Sequence, residues 1–188
     1  MRRLIAIIVA ALAFGALSGV AAYQRLAGAG GEHAQWQEIA WPFSRDGWPA
    51  GRAFRCMSTA CGEGSELYVR AKIGFCNCDT GVADDDEVDR VADLDLISPR
   101  FAPRAAGQVV RVAEMSGRAR AYELSLPDGA RHAAIGFALS HRCDLMVAVA
   151  QGGADAPTLQ RAARGFLEQH EMHQWMLAAL GGQQVRGH

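Results

Sequence analysis

The sequence has no basic excess and almost no lysine. Its formal net charge is -1, and eighteen of the nineteen basic residues are Arg, leaving Lys72 as the only Lys. Without surplus positive charge there is little to neutralise a phosphate backbone, so no nucleic-acid partner is expected. The arginines are scattered rather than clustered, which reads as compositional bias rather than as a bidentate recognition site. Also missing are Gly-x-Ser-x-Gly, His-Glu-x-x-His and Gly-x-x-x-x-Gly-Lys patterns, so hydrolytic and phosphate-binding machinery of those kinds finds no support. Ser140 and His141 are adjacent, and neighbours in an extended segment point to opposite faces. No Cys-x-x-Cys-His occurs, which excludes the usual covalent haem attachment. Internal repeats and low-complexity tracts are absent too. The expectation is a non-enzymatic protein with no cofactor.

One long apolar run is present. Residues 4–22 carry no charge, follow Arg2 and Arg3, and precede Arg25. About twenty residues at 1.5 Å each cross a ~30 Å hydrocarbon core, so the run fits a membrane anchor with the arginines kept on the cytoplasmic side. Val20-Ala21-Ala22 also fits a small-residue cleavage pattern, so the alternative is a secreted periplasmic protein cut near Ala22. The run is longer than a signal core needs, which favours the anchor. Residues 1–23 are thus read as anchor or signal, 24–35 as a Gly/Ala-rich tether, and 36–188 as a single extracytoplasmic domain. The expected location is the inner membrane, single-pass, with the domain in the periplasm.

Within the domain, the stretch from Trp36 to Cys56 mixes Trp36, Trp41 and Trp48 with Pro42 and Pro49 and reads as an irregular lid. From Glu66 the pattern alternates: Leu67, Val69, Ala71, Ile73 and Phe75 on one face, and Tyr68, Arg70, Lys72, Gly74, Cys76 and Cys78 on the other. That period predicts a strand over 66–78. Asp84 followed by Glu87 predicts the start of a short helix near 84–92. From 108 onward four runs, separated by turns at Ser116-Gly117, Pro127-Asp128-Gly129, 141–144 and Gly152-Gly153, predict an antiparallel meander. Pro157 opens a helical pattern of Leu159, Ala162, Ala163, Phe166, Leu167, His170 and Leu177. The fold class is α+β: an antiparallel meander with a long C-terminal helix packed on the sheet, plus the short helix.

The five cysteines are Cys56, Cys61, Cys76, Cys78 and Cys143. In an oxidising compartment they read as a disulfide framework with one sulfur left over. Cys56 and Cys61 close a short loop; Cys143, at a turn, bonds Cys76 or Cys78. Two chemical alternatives use the same residues. A strained Cys76–Cys78 pair could exchange with a third thiol, although the usual Cys-x-x-Cys at a helix start is missing. Cys76 and Cys78 could instead clamp Cu(I), with His170 and His173 completing the metal site and copper as the cofactor. The spacing of Cys56, Cys61, Cys76 and Cys78 does not match common zinc pairs. Met172 and Met176 read as packing residues. The eight acids of residues 79–95 lack the ligand order of a calcium loop and read as helix capping, with an acidic face for a basic partner as the alternative.

"LYVRAKIGFCNCDTGVADDDEVDRVADLDL" together with "HRCDLMVAVA" resembles small exported or membrane-anchored bacterial proteins with no assigned activity. The resemblance favours the anchor and carries no site residue. The functional expectation is a membrane-anchored extracytoplasmic accessory or interaction protein stabilised by disulfides. It would be held to the membrane by residues 4–22 and would work with an envelope protein. The alternative is a thiol redox or Cu(I)-handling protein.

Overall fold

The computed structural model describes residues 34–181, apart from Arg45 and Cys76. The anchor or signal read at 1–23 and tether residues 24–33 lie outside the described residues. At the tether's end, Gln35 is already attached: its N–H donates to Ser58 Oγ (3.3 Å) and its carbonyl accepts from Met57 N–H (2.8 Å).

Among the described residues eight strands form one antiparallel sheet: β1 Trp36–Ile39, β2 Arg52–Cys56, β3 Glu66–Lys72, β4 Phe101–Pro103, β5 Gln108–Val112, β6 Met115–Ser125, β7 Arg131–His141 and β8 Asp144–Gly152. The order across the sheet is β1-β2-β3-β8-β7-β6-β4, with β5 also pairing β6. Two meanders, β1 to β3 and β6 to β8, are thus joined where β8 inserts beside β3, in register from Glu66↔Gln151 to Lys72↔Leu145. Among the described residues four α-helices follow in chain order: α1 Asp85–Val91, α2 Leu94–Ile97, α3 Ala156–Leu167 and α4 His170–Gly181. The fold is α+β, with C-terminal helices packed on the sheet.

Both sheet faces are covered. On one, Leu67, Val69, Met146, Ala148, Ile135 and Phe137 meet Leu159, Ala163, Leu167, Met172, Met176 and Leu180 of α3 and α4. On the other, Tyr122, Ala134, Leu145, Val147 and Val149 meet Val88, Val91, Ala92 and Leu94. Every residue of β8 is therefore buried, which explains why "LMVAVA" reads as an apolar run rather than as an alternation. At seven residues α1 is far below the roughly 12–15 at which an isolated helix becomes marginal, so packing of Val88 and Val91 stabilises it. Its start is capped as expected: Glu87 N–H donates to Asp84 Oδ1 (2.9 Å), and Glu87 Oε2 accepts from Ala83 N–H (3.0 Å).

Three local expectations are corrected. The lid is irregular only between Ala40 and Gly51, because both prolines fall there while Trp36–Ile39 and Arg52–Cys56 pair as strands. The strand from Glu66 stops at Lys72, because Gly74 adopts φ +68°, a left-handed conformation that ends the pleat. Phe75 and Cys78 consequently lie in a loop. The β5–β6 turn is at Ala113 and Glu114 rather than Ser116-Gly117. Gly117 is there for a different reason: a Cβ would lie 1.9 Å from the Ala138 carbonyl oxygen across the β6–β7 pairing.

The C-terminal helical segment bends at Glu168 and Gln169. Continuing α3 straight from the stripe Leu159, Ala163, Leu167 would turn His170, Glu171 and Gln174 into the core. Breaking re-phases the helix so that Met172, Met176 and Leu180 are buried instead. His170, expected on the core stripe, is exposed.

Candidate functional site

Two disulfides are formed, Cys56–Cys61 and Cys78–Cys143. The first closes a 3-10 turn at Thr59–Cys61 and is buried beside Ala162 and Trp36. The second joins the loop after β3 to the β7–β8 turn, across 65 residues of sequence. Gly74 N–H donates to Asp144 Oδ1 (2.7 Å) at the same junction. Cys78 is exposed and Cys143 is half-buried. Cys76 lies outside the described residues. The strand face that Cys76 and Cys78 were expected to share does not extend that far, since β3 has already ended.

Two residues of the copper alternative, Cys78 and His173, have other attachments. Cys78 holds Cys143 as a disulfide, so no thiolate is present on it. His173 Nε2 contacts Glu114 Oε2 in the β5–β6 turn, and His170 is exposed at the start of α4. Met172 and Met176 are core residues. Among the described residues no three His, Cys, Asp or Glu side chains converge as metal ligands. The acids of α1 are turned partly onto the chain's own cations: Asp85 accepts from Arg118 (2.6 Å) and Gly107 N–H (2.8 Å), and Asp89 accepts from Arg120 (2.8 Å) and the Tyr122 hydroxyl (2.5 Å).

A polar constellation that the sequence pattern did not single out is buried on the other side of β3. Arg70 and Lys72 stand on the polar face of β3, yet only 4% and 8% of their side chains is exposed. Asp93, in the link between α1 and α2, accepts from Arg70 Nε (2.5 Å) and Nη2 (2.7 Å) and pairs with Lys72 Nζ (2.7 Å). Lys72 also donates to the Val91 carbonyl (2.8 Å). The other edge of the Arg70 guanidinium takes both oxygens of Asp46, at 2.8 and 2.7 Å. Asp93 sits at φ +56°, a left-handed conformation that Asp tolerates better than most residues.

Aromatic rings roof this cluster. The segment 40–51 brings Trp41 and Phe43 edge-on to Tyr68 (6.1 and 4.8 Å between centroids) and Trp48 edge-on to Phe75 (5.4 Å). Arg70 lies 5.9 Å from the Trp41 centroid, and Lys72 lies 5.8 Å from those of Trp48 and Phe75, within reach of cation–π attraction. The Tyr68 hydroxyl donates to Glu66, which also accepts from Arg55 (2.8 Å) and Gln151 (3.2 Å). Burial, then the Glu66 hydrogen bond, holds the Tyr68 phenol above its ordinary pKa.

Electrostatically the cluster is two cations against two carboxylates. Burial works against the Arg70 charge, but the hydrogen bonds of Asp93 and Asp46 outweigh it and raise its pKa. The Arg70 hydrogen bonds pull Asp46 from 3.8 down to about 2. A depressed carboxylate stabilises the folded form above its unfolded value and loses that contribution as pH falls through its folded value. The Asp46 attachment is therefore expected to be complete above pH 3.8 and to be lost as pH approaches about 2. Acrylamide quenching of tryptophan fluorescence should rise across that window in the wild type, and by less in Asp46→Asn.

One signal for this site was visible beforehand: the only lysine of the chain alternates with Tyr68 and Arg70, opposite a wholly apolar face. The cover over the Tyr68, Arg70 and Lys72 face comes from a segment about twenty residues upstream, which a local pattern cannot reveal.

No protein-family profile matches the chain, and no curated protein matches it. Among solved structures, it is similar to a Pseudomonas aeruginosa protein of unknown function at 12% identity and a TM-score of 0.37, covering 74% of this chain and 84% of that one.

Proposed function

We propose that this chain is a non-enzymatic, extracytoplasmic interaction protein, held at the inner membrane by residues 4–22 and working with another envelope component. The observation that carries the reading is the pair of disulfides in a domain that follows an Arg-Arg start and a long apolar run. Disulfides persist where glutathione and thioredoxin do not reduce them, and the leader supplies the route there. The polar groups that could have served a reaction are instead paired: Arg70, Lys72 and Asp93 with one another, and Glu66 with Tyr68, Arg55 and Gln151. Among the described residues no helix is long and apolar enough to cross a membrane, so attachment rests on the leader.

The test is fractionation with thiol trapping of the native chain, followed by crosslinked recovery through the intact anchor. The expected result is membrane-associated protein with both bridges formed and a specific envelope partner. Soluble cytosolic protein with every cysteine reduced would end the proposal.

A second reading, thiol–disulfide exchange, is favoured by one observation: the exposed Cys78 bridge lies two residues from the fifth cysteine, Cys76. A Cys76 thiolate attacking Cys143 Sγ would form Cys76–Cys143 and release Cys78 as thiolate. Its test is disulfide mapping at mildly alkaline pH, where both Cys143 bridges should be recovered.

A further inference from the structure

We propose that Asp46 is the internal occupant of a carboxylate-binding site on Arg70, and that the strap carrying it is displaced when a carboxylate on a partner takes its place. The inference rests on the interaction-protein reading only in assuming that something is bound, and it names the chemistry of what is bound.

The cluster contains four charges. Arg70, Lys72 and Asp93 belong to β3 and to the α1–α2 link, and they are almost fully buried. Asp46 differs on each count. Its side chain is 30% exposed, and it stands on a segment with neither helix nor strand. Among the described residues, no backbone–backbone hydrogen bond outside the sheet ladders ties residues 41–50 to the domain. The strap is held by side chains: the Asp46–Arg70 fork, the edge-on rings, and the cations beneath Trp41 and Trp48. Lifting it therefore breaks no sheet hydrogen bond.

With Asp46 withdrawn, Arg70 and Lys72 face Asp93 alone. That leaves a net single positive charge and one uncovered guanidinium edge at a buried position. Such an edge demands a compensating anion. Two parallel N–H donors match the two oxygens of a planar carboxylate. One negative charge restores neutrality, whereas a phosphate dianion would overshoot beside Asp93. The rings of Tyr68 and Phe75, uncovered when the strap lifts, suit an apolar or aromatic group next to that carboxylate. Asp46 already occupies this place, so the site is self-competed and its apparent affinity is lowered by the fraction of closed strap.

The experiment uses the full chain in detergent micelles, as wild type and as Asp46→Asn. The probes are N-acetylphenylalanine, which mimics a C-terminal carboxylate, and N-acetylglutamate α-amide, which mimics a side-chain carboxylate. N-acetylphenylalaninamide is the neutral control. Asp46→Asn is expected to bind at least one acid roughly tenfold more tightly than the wild type, since it removes the competitor. The neutral amide should bind neither protein. The acid that binds better identifies the source of the carboxylate. Equal affinity in both proteins, or no binding of either acid, overturns the proposal. If Asp46→Asn does not fold, tryptophan quenching on the wild type decides: either acid, and not the neutral amide, must raise acrylamide quenching as Trp41 and Trp48 leave their ring contacts, and unchanged quenching overturns the idea. Partner recovery is scored separately. A partner captured without acid binding sinks this inference alone, and acid binding without any partner sinks the accessory reading alone.

Discussion

Asp93→Ala is expected to lower stability by about 3–5 kcal/mol, the usual cost of removing one partner from a buried ion pair. Asp93 is shared by two cations that are themselves almost fully buried. Without it, Arg70 keeps Asp46 as its carboxylate, and Lys72 has the Val91 carbonyl but no anion. The loss also frees the link between α1 and α2, so the packing of Val91 and Leu94 on the sheet weakens with it. Urea unfolding measures the total, and two controls divide it. Asp93→Asn keeps a residue tolerant of φ +56° and isolates the charge. Lys72→Met combined with Asp93→Ala removes a stranded cation and should recover part of the loss, as a coupling above roughly 0.5 kcal/mol. An Asp93→Ala protein within ~1 kcal/mol of wild type would mean that the cluster is not a strong tie between the helix link and the sheet.

The parts of the fold visible in the sequence are those whose signals are local. Alternation in β3, β6 and β7, the Asp84/Glu87 cap and Pro157 at a helix start each depend on residues within one turn or one strand. The α+β class follows from them. What stayed hidden is non-local. Nothing near β8 announces that it inserts beside β3, yet that pairing makes both its faces buried. The break between α3 and α4 was legible in principle, because the polar triplet His170, Glu171 and Gln174 falls where the stripe should continue. Counting His170 as part of the stripe hides it, because His is tolerated on a half-buried face.

The site divides in the same way. Cys56–Cys61 is a short-range closure and follows from spacing. The choice of Cys78 for Cys143 depends on where β3 ends, and that is set by Gly74 and by the Asp144 hydrogen bond. The Arg70 cluster needs three separate segments, at 46, 70–72 and 93. No single window of sequence contains it, and an alternating Tyr-Arg-Lys face reads as solvated until the aromatic strap is placed over it.

The two bridges should also differ in what they stabilise. A cross-link acts mainly on the unfolded chain, in proportion to the logarithm of the loop it closes. For a separation of 65 the chain-entropy relation gives about 4 kcal/mol, and for a separation of 5 about 2 kcal/mol. Removing the long bridge as Cys78→Ala/Cys143→Ala should lower the urea midpoint and raise the m-value, because the denatured chain expands and exposes more surface. Removing the short one as Cys56→Ala/Cys61→Ala should lower the midpoint with little change in m, since five residues barely constrain the denatured ensemble. The single variants add a sharper contrast. Cys143→Ala leaves Cys78 and Cys76 no common partner at the β7–β8 turn, so its loss should equal that of the double variant. Cys78→Ala leaves Cys76 two residues away, and a Cys76–Cys143 bond would restore a loop of nearly the same length and most of the stability. Equal losses in the two single variants, with Cys76 still titrating as a thiol, would show that Cys143 accepts only Cys78. The bridge would then be a fixed staple, and the exchange reading would have no second state to exchange into.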